Sequence, residues 1–513
     1  MKRLLKHLTL ALTYGLLGSF IVVAGLYVYQ QESRPDLKVW HRAELDAEFH
    51  AGLAGEITTL EQYLQREARL FEQLDRQVYA RIDAADRRKI NRFSDDSLTD
   101  PRSYPKNWNR TFVLSQHDAV AGAVMLHGLS DSPYSMRSVG QLLHERQFEV
   151  IGLRLPGHGT APAGLANVSW HDFVAAVRIA VTSMRDRLGP DHPLYLVGYS
   201  NGAALAVHYA LAMLEDADMP AVDGLVLLSP AIEAPGIAAY AIWQARFSRL
   251  SGLEKLGWTD IQAEFDPYKY SSFTVNAGDQ IYQLTQDIAA RMKRLSGPNG
   301  VEGFPKTIAF QSVVDATINP STLVDALFMK LAPGEHELVL FDVNRHAEAE
   351  PLLRTDPEVL TDRLLGEGTL PFSLTLVTNL DLASDAVIAR IKPEGATTVS
   401  DEDIGMAWPG GLFSLSHVAV PFSPDDPVYG NDPEADEDYI TLGSIYIRGE
   451  RNLLQIPDNY FLRLRYNPFF AYLTERVQTF LDLSCCAPMS GLTLSPSEQN
   501  RRVELIQPAT NAQ

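Results

Sequence analysis

The stretch Leu194-Tyr195-Leu196-Val197-Gly198-Tyr199-Ser200-Asn201-Gly202-Ala203-Ala204-Leu205-Ala206 constrains this chain more than any other. An apolar run of strand character stops at a G-x-S-x-G pentapeptide, and small, helix-tolerant residues follow at once. A sharp strand-to-helix turn satisfies that pattern, and it crowds the backbone two residues before and two after the serine. Gly198 and Gly202 stand at those places, where any Cβ would collide. This is the layout of a nucleophile elbow. A serine hydroxyl is a poor nucleophile at neutral pH, so it must stand clear of its neighbours, within reach of a base and beside N–H donors. A glycine-rich turn whose serine merely caps a helix shares the pentapeptide; the flanking strand and helix patterns favour the elbow.

Short apolar runs recur on both sides of this turn: 111–114, 121–126, 148–153, 225–228, 307–311 and 338–341, separated by helical patterns. Such alternation predicts an α/β fold, a mostly parallel sheet with helices on both faces and ligands bound beyond the carboxyl ends of the strands. At 513 residues the chain exceeds one ordinary core, so additions are expected. The stretch 231–304 interrupts the strand rhythm and is rich in Trp243, Phe247, Leu250, Leu253, Leu256, Trp258, Tyr268, Tyr270, Phe273 and Tyr282. It predicts a helical cap with its own core; any aromatic rings facing the site would favour an acyl chain or an aromatic ester. Residues 346–410 read as an insertion of unassigned role with one strand-like run, Ser373 to Thr378. The core, expected over 106–345, resumes at 411–487. It closes with a helix signalled by Asn467 and Pro468 and by Phe469, Leu473, Val477 and Phe480 on one face. A polar tail follows at 488–513.

The N-terminus begins with Lys2, Arg3 and Lys6, and the run from Leu8 to Tyr29 then carries no charged side chain. At about 1.5 Å per residue this run matches a hydrocarbon layer of roughly 30 Å. It continues past Val22-Val23-Ala24, where a signal peptide would end, so residues 1–30 are expected to be an uncleaved transmembrane anchor. The basic residues on its short side predict a cytoplasmic N-terminus and a periplasmic catalytic part, in the inner membrane of a bacterial host. Residues 36–100 form an expected helical arm: Leu53, Ile57, Leu60, Leu64, Phe71, Leu74 and Val78 keep a helical spacing with Glu67 as a polar interruption. The arm either packs on the catalytic part or forms a coiled-coil stalk. Residues 95–108, with Pro101 and Pro105, read as a linker. The formal charge of −20 excludes nucleic acid as an expected partner. The two cysteines, Cys485 and Cys486, are adjacent and read as free thiols.

Three further segments carry chemistry. His127-Gly128-Leu129 directly follows an early strand, upstream of the serine, and nominates the backbone N–H of Leu129, with that of Asn201, as oxyanion donors. His158, between Gly157 and Gly159, reads as structural. An acid that orients a histidine should end a late strand; Asp315 does so, with Asp342 as rival. For the base, spacing alone favours His346, 31 residues after Asp315, over His417, which follows by 102. His346 opens an acidic, exposed-looking stretch, however, whereas His417 lies in an apolar loop that can reach a site if 345–410 is an excursion. No Cys/His cluster, H-E-x-x-H or phosphate loop is present, so no metal or nucleotide cofactor is expected.

With these residues assembled, the chain resembles the α/β-hydrolase superfamily, in its monoacylglycerol lipase, bacterial carboxylesterase and serine aminopeptidase-like branch. The matching marks are L-H-G-L-S-D-S at 126–132, L-P-G-H-G at 155–159, G-Y-S-N-G at 198–202, S-V-V-D-A-T at 312–317 and S-x-S-H-V at 414–418, in the order Ser, Asp, His. The resemblance covers about 106–345 and 410–482, and it implies Ser200, Asp315 and His417 as a triad with Leu129 and Asn201 as oxyanion donors. The S-x-S-H-V segment resembles that of bacterial carboxylesterases and is the main ground for His417. The arm, the anchor and the long stretch between acid and base depart from the pattern. The expected function is that of a membrane-tethered esterase or lysophospholipase-like enzyme acting on a small or lipid-derived ester through an acyl-enzyme. The alternatives are an amide-cleaving peptidase or acyltransferase on the same residues, or a silent scaffold.

Overall fold

The computed structural model describes residues 2–87, 90–95, 97–233, 254–347, 349–366, 368–431, 439–445, 456, 460 and 462–482. Trp243, Phe247, Leu250 and Leu253 of the expected cap, both cysteines and the tail lie outside them.

Ten strands form one sheet: β1 (Phe112–Leu114), β2 (Ala121–Leu126), β3 (Phe148–Leu153), β4 (Leu194–Tyr199), β5 (Gly224–Leu228), β6 (Lys306–Ser312), β7 (Glu337–Phe341), β8 (Ser373–Asn379), β9 (Ala386–Lys392) and β10 (Ser400–Ala407). Their order is β1-β3-β2-β4-β5-β6-β7-β8-β9-β10, with β3 through β8 parallel and β1, β9 and β10 paired antiparallel. The central strands are mostly apolar because both of their faces are covered. Val124, Leu196 and Leu225 point into one core, while their neighbours Ala123, Val197 and Val226 point into the other. Burying each such side chain contributes about 1.5–3 kcal/mol.

Seven helices matter here: α1 (Lys2–Glu32), α2 (Leu60–Gln77), α3 (Arg137–Glu145), α4 (Trp170–Leu188), α5 (Asn201–Glu215), α6 (Val275–Leu295) and α7 (Phe470–Phe480). Met184 of α4, Leu205 of α5 and Leu284, Ile288 and Met292 of α6 join the first core. Leu143 of α3 and Leu473 and Val477 of α7 join the second. Asn467 does not cap α7 as expected: its side chain accepts from Phe469 N (2.9 Å) in the turn before, and the helix starts at Phe470. α1 is exposed, and its segment Leu5–Gln30, of mean hydropathy 1.9, is long and apolar enough to cross a membrane.

Three expectations change. The arm's helix begins only at Leu60, because the Thr59 side chain accepts from Gln62 N while Gln62 reaches back to Thr59 N, so Leu53 and Ile57 lie before it. α2 packs on the catalytic part, the first of the two readings, rather than forming a stalk: Leu60 and Tyr63 pack into the first core, and Phe71 and Leu74 join Trp40, Val78 and Phe93 in a smaller cluster. Residues 95–108 are not a loose linker, since Thr99, Tyr104 and Trp108 are buried. The stretch 346–410 supplies β8, β9 and β10, which extend the sheet at the β7 edge. Of the cap, the described part holds α6 and a short strand pair, Trp258–Asp260 with Phe273–Thr274. Trp258, Tyr268 and Tyr270 are buried, and Tyr268 stacks on Tyr134 at 4.0 Å.

Candidate active site

β4 ends at Tyr199 and α5 begins at Asn201, so the whole reversal falls on Ser200, which sits at φ 53° and ψ −113°. A non-glycine residue there is strained, and such strain persists only where the surroundings fix it. They do: Ser200 N donates to Leu228 O (2.9 Å), and Ser200 O accepts from the N–H groups of Ala203 and Ala204 (3.1 Å each). A Cβ on Gly198 would lie 2.5 Å from Ala203 N and Cα, and one on Gly202 would lie 2.0 Å from Leu126 O. The two glycines therefore let the first turn of α5 rest on β4 and on the carboxyl end of β2.

Three loops converge on that point. The segment after β6 brings Asp315, whose Oδ1 accepts from Thr317 N (2.8 Å) and Ile318 N (2.9 Å) and whose Oδ2 accepts from Gln311 Nε2 (2.8 Å). The segment after β10 brings His417 in one short helical turn, His417–Ala419, with its side chain buried. His417 Nδ1 lies 2.7 Å from Asp315 Oδ2, and its Nε2 lies 3.0 Å from Ser200 Oγ. A carboxylate only accepts, so Nδ1 carries the proton and Nε2 keeps its lone pair for the serine hydroxyl. The structure thus joins Ser200, His417 and Asp315 in one relay.

The rivals lie elsewhere. His346 is part of an exposed turn with Nδ1 3.0 Å from Leu382 O, displaced from the serine because the chain leaves the sheet after β7 to build the added strands. Asp342 is buried against Arg345 Nε (2.8 Å) and Thr378 Oγ1 (2.7 Å). Gln311 was missed by sequence reasoning; a lone amide inside the apolar run of β6, four residues before Asp315, was its signal.

The loop after β2 places Leu129 beside the elbow. Its N–H has no backbone acceptor among the described residues, and Ser130, at φ 64°, turns the chain away. His127 is enclosed: its Nε2 accepts from Leu155 N (3.0 Å), so its Nδ1 proton faces Gly128 O (2.9 Å). Burial, with His158 nearby, holds His127 well below the ordinary imidazole range. Burial likewise pushes His158 down to about 4, and its Nδ1 faces Pro156 O (2.9 Å), a place in the loop's wall. A cavity of about 340 Å³ opens beside Ser130 and Val418, the neighbours of Leu129 and His417. Ion pairs line it as well as aromatic rings: Lys269 with Asp131 (3.2 Å) and Arg465 with Asp266 (3.4 Å).

A mostly parallel sheet with a serine strained at the turn between a central strand and its helix is the architecture of an α/β hydrolase. Residues 117–347 match the family model described as serine aminopeptidase, S33 (Hydrolase_4). A thermostable monoacylglycerol lipase from Bacillus sp. (strain H-257) is 23% identical over 218 residues, 42% of this chain and 79% of that protein. Among solved structures, that of metagenome-derived lipolytic enzymes is 24% identical (45% of this chain, 87% of the other; TM-score 0.36). That of the Paleococcus ferrophilus monoacylglycerol lipase is 20% identical (45% and 88%; TM-score 0.34). The family match covers residues 117–347, less than half of the chain, and the sheet and elbow around it have the fold of an α/β hydrolase.

Proposed function

We propose that the chain is a carboxylic ester hydrolase acting on lipid-derived esters of the monoacylglycerol or lysophospholipid kind, with Ser200, His417 and Asp315 as its triad. One observation carries this reading: the relay of 3.0 Å from Ser200 Oγ to His417 Nε2 and 2.7 Å from His417 Nδ1 to Asp315 Oδ2, built on a strained elbow. His417 takes the hydroxyl proton as Oγ attacks the ester carbonyl, and Asp315 holds the ring and offsets the imidazolium charge. The N–H groups of Leu129 and Asn201 hold the oxyanion; one such donor is worth about 3–4 kcal/mol. His417 then protonates the leaving alcohol, and water activated by the same ring releases the acyl group. The described residues hold no group of three or more His, Cys, Asp or Glu arranged to bind a metal, and no step needs one.

The name of the Bacillus relative supports glycerol esters, and the ion pairs of the adjoining cavity support binding of the polar end of the substrate there. The apolar run of α1, with Lys2, Arg3 and Lys6 at the helix's start, supports a single-pass anchor in the inner membrane with the residues after Gln30 outside the cytoplasm. In the same division 36–100 serves as arm and 231–304 as cap. A fluorophosphonate probe should label the wild type and not Ser200→Ala; equal labelling of both removes the assignment, and no labelling of either leaves a silent scaffold. The description of the matching family favours a second reading, amide cleavage. Turnover of p-nitrophenyl butyrate against aminoacyl-naphthylamides separates the two, and preference for the amides reverses the proposal.

A further inference from the structure

Arg154 directly follows β3 with its side chain almost wholly buried, and both of its carboxylate partners come from the N-terminal arm. Glu48 takes two bonds, from Nη1 (3.0 Å) and Nη2 (2.8 Å), and Glu67 takes one from Nε (3.0 Å). Neither acid serves the arginine alone. Glu67 also accepts from Thr111 N (3.0 Å) and Oγ1 (2.7 Å), and Glu48 from Gly157 N (2.8 Å). Tyr63 of α2 adds a bond from its hydroxyl to Arg154 O (2.7 Å). The polar interruption of the arm's apolar stripe is thus where the arm grips the loop after β3.

That loop touches the oxyanion loop directly. Arg154 Nη1 donates to His158 O (3.0 Å), Leu155 N donates to His127 Nε2 (3.0 Å), and His127 Nδ1 closes on Gly128 O, one residue before Leu129. From the other side Tyr270 accepts from Thr160 N through its hydroxyl (2.7 Å), donates to Gly157 O (3.2 Å), and gives its own N–H to Ser130 O (2.8 Å). The residues flanking Leu129 are therefore fixed by a chain of bonds that starts on Glu48 and Glu67. Both lie outside residues 117–347, the part matched by the family.

We propose that Glu48 and Glu67 are positioning residues: by holding Arg154 and the loop after it, they set His127 and so aim the Leu129 N–H at the developing oxyanion. The proposal rests on the reading of Leu129 as an oxyanion donor. A buried guanidinium with one neutral partner pulls less firmly on both ends, because charge-assisted bonds are about twice as strong as neutral ones. A loosened loop then lowers reaction at the serine without disturbing Ser200, His417 or Asp315. Donor geometry matters more in the transition state than in the bound substrate, so the loss belongs in kcat.

The test uses the full chain in detergent, with Glu48→Gln, Glu67→Gln, the double variant, Tyr63→Phe, and Glu72→Gln on the exposed side of α2 as control. Active sites are titrated with a fluorophosphonate, kcat and KM are measured per titrated site with p-nitrophenyl butyrate, and the Ki of a trifluoromethyl ketone, which forms an oxyanion on the serine, is followed alongside. The expected result is a fall in kcat of about 10-fold for either Gln variant and up to about 100-fold for the pair, against the 10²–10³ of losing a donor outright. KM stays within about twofold, Ki rises in step with the loss of kcat, and Glu72→Gln stays at wild type. Tyr63→Phe, which keeps every charge, should lose a few-fold in the same pattern and serves if the Gln variants do not fold. Variants that lose titratable sites or thermal midpoint but keep kcat and Ki per site overturn the proposal, leaving the network a brace of the fold. A wild type that takes no probe is a different failure, that of Ser200 as nucleophile.

Discussion

Gly202→Ala tests how closely the elbow must approach β2. The new Cβ would sit 2.0 Å from Leu126 O, 2.4 Å from Leu126 C and 2.7 Å from His127 O, all of them backbone atoms that no rotamer change can move. Reaching the 3.4 Å of ordinary contact demands a retreat of about 1.4 Å between α5 and the end of β2. Ser200 and Asn201 ride on the first of these elements, and the loop to Leu129 leaves the second. A misplacement of about 1 Å near reacting atoms costs on the order of 10²-fold in rate, and overpacking a tight site costs about 1–3 kcal/mol of stability. Esterase activity per folded molecule should therefore fall at least about 100-fold, with a melting point lower by several degrees. Gly278→Ala is the matched control: it lies inside α6, its Cβ would meet only Phe273 Cε1 at 3.9 Å, and alanine there should stabilise by up to about 1 kcal/mol. Calorimetry with p-nitrophenyl butyrate turnover reads both; wild-type turnover in Gly202→Ala would refute the close approach and with it the placing of Asn201 and Leu129.

Other outcomes follow from the same contacts. His417→Ala should lower kcat by about 10⁴-fold or more while His346→Ala, on an exposed turn, leaves it within about twofold; the opposite pattern in a p-nitrophenyl ester assay exchanges their roles. His41, buried against Trp258 with Nε2 2.9 Å from Ser272 Oγ, has its pKa pushed down to about 3 by burial. A depressed folded value means that stability is full above about 6.5 and is lost as the pH falls toward 3, so the amides of segment 37–43 should show lower protection factors, corrected for the intrinsic pH dependence of exchange, at pH 5 than at pH 7.5; His41→Phe should remove that difference, and its persistence would place the sensitivity elsewhere. Removing residues 2–32 should release the protein from membranes in fractionation with p-nitrophenyl butyrate turnover kept, whereas continued sedimentation with vesicles would move the anchor to another part of the chain.

How much was legible in the sequence varied with how local the physics is. The strands from 121 to 341 stood out because both of their faces are buried and the runs are mostly apolar. Ser200 stood out because steric crowding of the elbow acts within two residues of it. β10 gave no such signal: the run Ser400-Asp401-Glu402-Asp403 reads as acidic loop because an edge strand needs no apolar face. His417 shows the limit most clearly, since spacing pointed to His346, and the apolar loop around His417 and, above all, the likeness of Ser414 to Val418 to a known segment pointed past it. Glu67 read as a flaw in a stripe because its partner, Arg154, lies 87 residues away and pairing at that distance leaves no periodic trace.

The exposed rim of the sheet has a consequence for assembly. β10 pairs with β9 on one side only, and it carries Asp401, Glu402 and Asp403, all exposed, on the margin where a further strand would add. A second copy docking there in the antiparallel sense would set carboxylates against carboxylates, with only Arg390, already paired to Asp401 (3.3 Å), as a nearby cation, a repulsive pairing in registers that overlap the triplet. Three exposed carboxylates on this margin thus disfavour strand addition there.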